Sequence, residues 1–192
     1  MENGITIVRA NDKYLFQQQK EAGTNLVRAG ERQLPLFYEF IVARWRREGG
    51  TDMEYRKFDT AFLVRLDPGE EICEQLLALA QKEGIQLAQI SGLGAVNSLT
   101  VGVFDTQTKE YHANTFEGPY EIVSLTGTLT TKDGAPYLHA HFAAGDAKGH
   151  VVGGHLNRAV ISATAEIVLN LIPGTVGRKF SEEIGLNLFD FQ

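Results

Sequence analysis

Apolar side chains alternate through Ala61-Phe-Leu-Val-Arg-Leu66 and stop at Asp67-Pro-Gly-Glu70. This predicts a strand followed by a turn, with acids at the positive end of a helix. Over residues 70–83 the period changes. Ile72, Leu76, Leu79 and Ala80 recur at i, i+4, i+7 and i+8, and Gly84 follows as a C-terminal stop. That spacing predicts one amphipathic helix with a single buried stripe. Downstream the pattern is that of strands, over 86–90, 98–105, 109–116, 121–129, 137–144, 150–156 and 162–169. Thr106-Gln-Thr108 and Thr131-Lys-Asp-Gly134 read as hairpin connections. One main helix ahead of closely spaced strands predicts an α+β fold with a largely antiparallel β-sheet.

Upstream the pattern is different. After Pro35, the apolar positions of residues 36–47 fit an amphipathic helix. Gln17-Gln-Gln-Lys-Glu-Ala-Gly-Thr24 has little hydrophobic content and reads as loosely structured. A boundary is expected near Gly49-Gly-Thr-Asp52, separating an N-terminal extension, 1–52, from a main domain, 53–192. The extension is either a docking arm or the product of an over-long start, with Met53 as the natural initiator. The second reading is favoured.

The 192 residues are 43% hydrophobic and 22% charged, ordinary values for a globular protein with a substantial core. No apolar run approaches the roughly 20 residues of a membrane span. The first residues lack the basic and apolar regions of a secretory signal, and Cys73 is the only cysteine. A reducing, cytoplasmic setting is expected. Cys73 falls in the helical pattern and reads as packing.

Net charge is −6, unevenly distributed: residues 1–52 hold 8 basic and 7 acidic side chains, residues 53–192 hold 10 and 17. Sequence-independent DNA binding needs several basic side chains gathered on one face. In the main domain Lys109, Lys132, Lys148, Arg158, Arg178 and Lys179 are scattered, and the one tight cluster, Arg44-Trp-Arg-Arg47, lies in the extension. The balance disfavours unaided DNA binding.

Three of the five histidines are close in sequence: His139 and His141 in Tyr137-Leu-His-Ala-His-Phe142, and His155 in Val151-Val-Gly-Gly-His-Leu156. In a strand, residues two apart point the same way, with Cα atoms about 6–7 Å apart. Two imidazoles so placed can converge on one ion. Gly153-Gly154 is expected to turn the chain tightly just before His155, returning a third nitrogen. Three imidazoles and a water make a common open Zn2+ site, which lowers the bound water's pKa to about 7.

Arg65-Leu-Asp-Pro-Gly-Glu70, Ile90-Ser-Gly-Leu-Gly-Ala95, Gly102-Val-Phe-Asp105, Glu121-Ile-Val-Ser-Leu-Thr-Gly127, Leu138-His-Ala-His141 and Gly149-His-Val-Val-Gly-Gly-His-Leu156 occur in that order. Together they resemble the PPC (plant and prokaryote conserved) domain family over residues 56–170. The resemblance implies a PPC-like α+β fold assembling as a homotrimer. It also implies that members carrying Leu-His-x-His and Gly-Gly-His-Leu bind metal, here through His139, His141 and His155. The family is commonly labelled DNA-binding, but in its plant members a separate AT-hook, centred on Arg-Gly-Arg, contacts DNA. This chain has no Arg-Gly-Arg.

A reacting metal site usually has an acid or base nearby. Glu121, Asp105, Asp146 and Glu166 are candidates, none selected by spacing, and His112 and His150 are further possible ligands. Ser91-Gly-Leu-Gly-Ala95 lacks the Gly-Lys-Ser/Thr of a Walker loop and the third glycine of a dinucleotide fingerprint. It reads as a bend or bulge between strands, whose amides, with Glu121, would line a ligand pocket at Gly92 and Gly94. No substrate or reaction is named by these residues, although an open three-histidine site suits hydrolytic or lyase chemistry. The leading expectation is a zinc-binding homotrimer. The alternatives are a DNA-associated regulator using the trimer for multivalent binding, and a non-catalytic trimeric scaffold.

Overall fold

The structure, a computed structural model, describes residues 5–10, 13–18 and 53–192. The chain divides into two compact units, residues 1–47 and 48–192. In the first, β1 (Ile5–Ala10) and β2 (Lys13–Gln18) form an antiparallel pair with Ile5 opposite Gln18. β2 runs through Gln17 and Gln18, at the edge of the segment expected to be loose. The helix expected after Pro35 and the Gly49–Asp52 break lie outside the described residues.

In the second unit the order is β3 (Glu54–Lys57), β4 (Ala61–Leu66), α1 (Ile72–Glu83), β5 (Ala88–Phe104), β6 (Tyr111–Lys132), β7 (Ala135–Gly145), β8 (Val151–Leu171), β9 (Gly177–Ser181) and β10 (Leu186–Asp190). The main sheet is antiparallel throughout, in the order β3-β4-β8-β5-β6-β7, and it closes because β7 also pairs with β8. β9 and β10 form a separate hairpin. The expected mostly antiparallel fold with one main helix is therefore present.

α1 begins at Ile72, with Glu71 as its N-cap accepting the Glu74 amide, and ends on left-handed Gly84 (φ 64°). Its buried positions include Ile72, Leu76, Leu79 and Ala80, the stripe that the spacing predicts. Each large one contributes about 1.5–3 kcal/mol of burial. The helix packs on β7 and β8. Glu71 also accepts the buried Ala159 amide of β8 at 2.8 Å, and Glu70 accepts the Asp67 amide. Two carboxylates thus tie the turn before α1 to itself and to β8.

Six expected strand segments turn out to be three long strands. The breaks anticipated near residues 91–97, 117–120 and 157–161 lie inside β5, β6 and β8. The ladders slip at Gly92/Gly94 and Val96/Ser98 instead of ending. Gly118 and Pro119 fall where β6 slips against β5, a bulge at which proline's missing N–H is tolerated. Glycine and proline here bend long strands and do not terminate them. The Ser91–Ala95 motif is accordingly a bulge within one strand, not a link between two.

Candidate metal centre

β7 carries Tyr137, His139 and His141 on one face, while Leu138, Ala140 and Phe142 point toward the core. On β6 their direct partners are Thr130, Thr128 and Thr126. On the other side of β7, His141 lies directly opposite His155 of β8. Directly opposed residues share a face with Cβ atoms about 4.5–5.5 Å apart. The third histidine therefore arrives through strand pairing.

This corrects the expected turn at Gly153-Gly154. Both glycines lie within β8, opposite Ala143 and Phe142. A Cβ on Gly153 would sit 2.6 Å from the Phe142 carbonyl oxygen, and one on Gly154 would sit 2.7 Å from that of Gly102. The pair lets β8 lie close between β7 and β5.

The ring centroids are 5.4 Å apart for His139–His141, 5.2 Å for His139–His155 and 5.9 Å for His141–His155. One nitrogen from each ring lies within 4.8 Å of the other two. A point central to a triangle with sides that long is about 2.8 Å from each corner, against a zinc–nitrogen bond of about 2.0–2.1 Å. Small ring rotations close that gap, so the donor set fits a divalent transition ion. His139 and His155 are partly buried and His141 is exposed, which leaves an open side. Burial, then Arg178, then His141 draw the His139 pKa down, favouring the neutral imidazole that ligates metal.

Arg178, on β9, was not singled out as a site residue. It donates from Nε to Thr130 Oγ1 (3.1 Å), from Nη2 to Thr128 Oγ1 (3.3 Å) and from Nη1 to the Asn187 carbonyl (3.1 Å). Its guanidinium carbon lies 5.0 Å from the Tyr137 ring centre and 4.3 Å from that of Phe189. Since Thr128 is the cross-strand partner of His139, the guanidinium stands on the histidine face. Gly174 and Gly185, which bracket the short apolar runs of this hairpin, were the available sequence signal.

The other candidates lie elsewhere. Glu121 is exposed, pairs with Gly145 at the far end of β7, and sits opposite Ala95, beside Gly94. Gly92 lies between Leu125 of β6 and Ile167 of β8, with a Cβ there meeting both side chains at 3.0–3.1 Å. Asp105 accepts the Gln107 and Thr108 amides of its own turn. Glu166 is exposed opposite Arg65. His150 meets Asp146 at 3.1 Å and His112 is 3.9 Å from Glu110, both at the surface. Burial pushes the Cys73 thiol well up, which fits packing and not nucleophilic chemistry.

A long-stranded antiparallel sheet crossed by one helix, with a histidine triad on its outer face, defines the class of protein. A profile of the Plants and Prokaryotes Conserved (PCC) domain matches residues 53–173, and the chain belongs to that family. A metal-containing protein from Archaeoglobus fulgidus is 37% identical, with TM-score 0.64 over 72% of this chain and 98% of that one. A Bacteroides thetaiotaomicron protein with a provisional DNA-binding label is 30% identical, with TM-score 0.71 over 73% of this chain and 99% of that one. The AT-hook motif nuclear-localized protein 5 of Arabidopsis thaliana is 28% identical over 110 residues, 55% of this chain and 28% of that protein. Curated relatives are much longer than the shared segment, which makes up 16% and 28% of two of them. Among the described residues no helix is long and apolar enough to cross a membrane.

Proposed function

We propose that this is a metal-binding PCC-domain protein that holds Zn2+, or a similar divalent transition ion, on His139, His141 and His155. The observation that carries the reading is the convergence of three imidazole nitrogens within 4.8 Å on one face. The metal-containing relative supports it. Bound by three imidazoles, zinc supplies Lewis acidity and an open coordination position. The chain's own part is to hold the rings on paired strands, keep His139 neutral and line the face with threonines. A ligand pocket walled by Glu121, Gly92 and Gly94 would be a separate feature, away from the histidines.

The proposal includes assembly as a homotrimer. Val123 and Val151 are exposed at 62% and 56%, and both approach Gly145, forming an apolar patch suited to burial against another copy. DNA association remains the second reading, supported by the labels on relatives and opposed by the acidic charge of residues 53–192.

Elemental analysis of purified protein tests the metal reading. About one zinc per chain is expected, falling to a trace in His139→Ala/His141→Ala. A metal-free wild type that also fails to take up added zinc would refute it.

A further inference from the structure

β5 meets the histidine face at Gly102, which lies directly opposite His155 of β8. Directly opposed residues share a face, so a side chain at position 102 would stand beside the His155 imidazole. Tyr111 of β6 fills that space instead. It is the partner of Phe104, two residues on from Gly102, and so a diagonal neighbour within reach of a long aromatic side chain. A Cβ on Gly102 would sit 2.5 Å from both Cζ and the hydroxyl oxygen of Tyr111. The glycine therefore lets the phenol ring cross β5 to reach β8.

On β8 the side chain is fixed at two points. Its hydroxyl donates to Asn157 Oδ1 at 2.6 Å. Its ring centre lies 6.1 Å from that of His155 with the planes at 90°, the edge-to-face arrangement that aromatic pairs favour. The His141 ring meets His155 at 5.9 Å and 88°. His155 thus packs against two perpendicular rings, His141 from β7 and Tyr111 from β6. The three histidine nitrogens, within 4.8 Å of one another, draw in on an ion by small ring rotations, and the packing around each ring guides that movement.

We propose that Tyr111 is a positioning residue of the metal centre, whose ring edge holds the His155 imidazole at the orientation that lets it join His139 and His141 on one ion. The inference rests on the metal reading and adds a residue to that site. Gly102 admits the ring and Asn157 anchors its hydroxyl.

The test titrates the full chain with Co2+, whose visible absorption reports its coordination, and checks folding by urea unfolding. In Tyr111→Leu the Co2+ affinity should fall about tenfold to a hundredfold, the usual cost of removing a residue that orients a metal ligand, and the visible band should change shape. Tyr111→Phe keeps the ring edge, and should stay within about threefold of the wild type with an unchanged band. If Tyr111→Leu does not fold, wild-type chain carrying 3-fluorotyrosine decides: the 19F resonance of residue 111, assigned with Tyr111→Phe, should move on adding Zn2+. Failure of the wild type to take up Co2+ refutes the metal reading and this proposal with it. Co2+ uptake by the wild type with unaltered affinity and band in folded Tyr111→Leu refutes this proposal alone. So does a loss as large in Tyr111→Phe as in Tyr111→Leu, or a fluorine resonance unmoved at saturating Zn2+.

Discussion

Glu71 offers the sharpest quantitative check on how the helix is joined to the strand that carries His155. Its carboxylate accepts the Glu74 amide at the helix start and the buried Ala159 amide of β8, each at 2.8 Å. Glu71→Ala removes the cap, worth about 1 kcal/mol. It also strands a buried N–H, worth about 1–3 kcal/mol. The expected loss is about 2–4 kcal/mol, or a fall in Tm of roughly 6–12 °C for a unit of this size. Glu71→Gln keeps one acceptor oxygen and should lose about half as much. Urea unfolding at neutral pH measures both. A loss below about 1 kcal/mol in Glu71→Ala, with an unchanged m-value, would refute the clamp.

The pH dependence gives an independent reading of the same group. Burial raises the Glu71 pKa, against the pull of the amides it accepts. The folded form therefore binds the proton more tightly than the unfolded chain. The stabilisation due to this proton is complete below the unfolded glutamate pKa of about 4.3 and is lost as pH rises through the folded value. Glu70 is shifted the same way, chiefly by burial. Glu71→Gln should remove its share of that slope.

Two further outcomes test assembly and partners. Val123→Asp/Val151→Asp should lower the mass measured by light scattering from three chains to one, and an unaltered trimer would show that this patch is not the interface. A gel-shift titration at low and moderate salt should show no retardation of duplex DNA at micromolar protein, whereas a salt-sensitive shift would favour the DNA reading.

The parts of the fold legible in the sequence were those with local causes. The α1 stripe, its Gly84 stop and the alternating strand at 61–66 each follow from periodicity within one element. Strand continuity was less legible. Glycine and proline mark a local disturbance, but neighbouring ladders decide whether it is a turn or a bulge. In β5 and β6 the flanking strands hold the chain extended through Gly92, Gly94, Gly118 and Pro119. The β9–β10 hairpin is short, and its attachment runs through Arg178, which donates to Thr130 and Thr128 of β6, and through Lys109, whose Nζ donates to the Ile184 carbonyl. Such distant contacts leave no periodic trace.

His139 and His141 share a face because strand geometry alternates, and that much follows from two residues and the space between them. Where His155 would stand depended on register. Pairing β7 with β8 places it opposite His141, and a slip of one residue would turn it to the other face. The same pairing of β6 with β7 sets Thr128 beside His139 and so brings in Arg178 from a hairpin remote in the chain. Local composition determined which donors were available. Long-range hydrogen bonding between strands decided which of them meet, because only the assembled sheet sets distances between residues far apart in sequence.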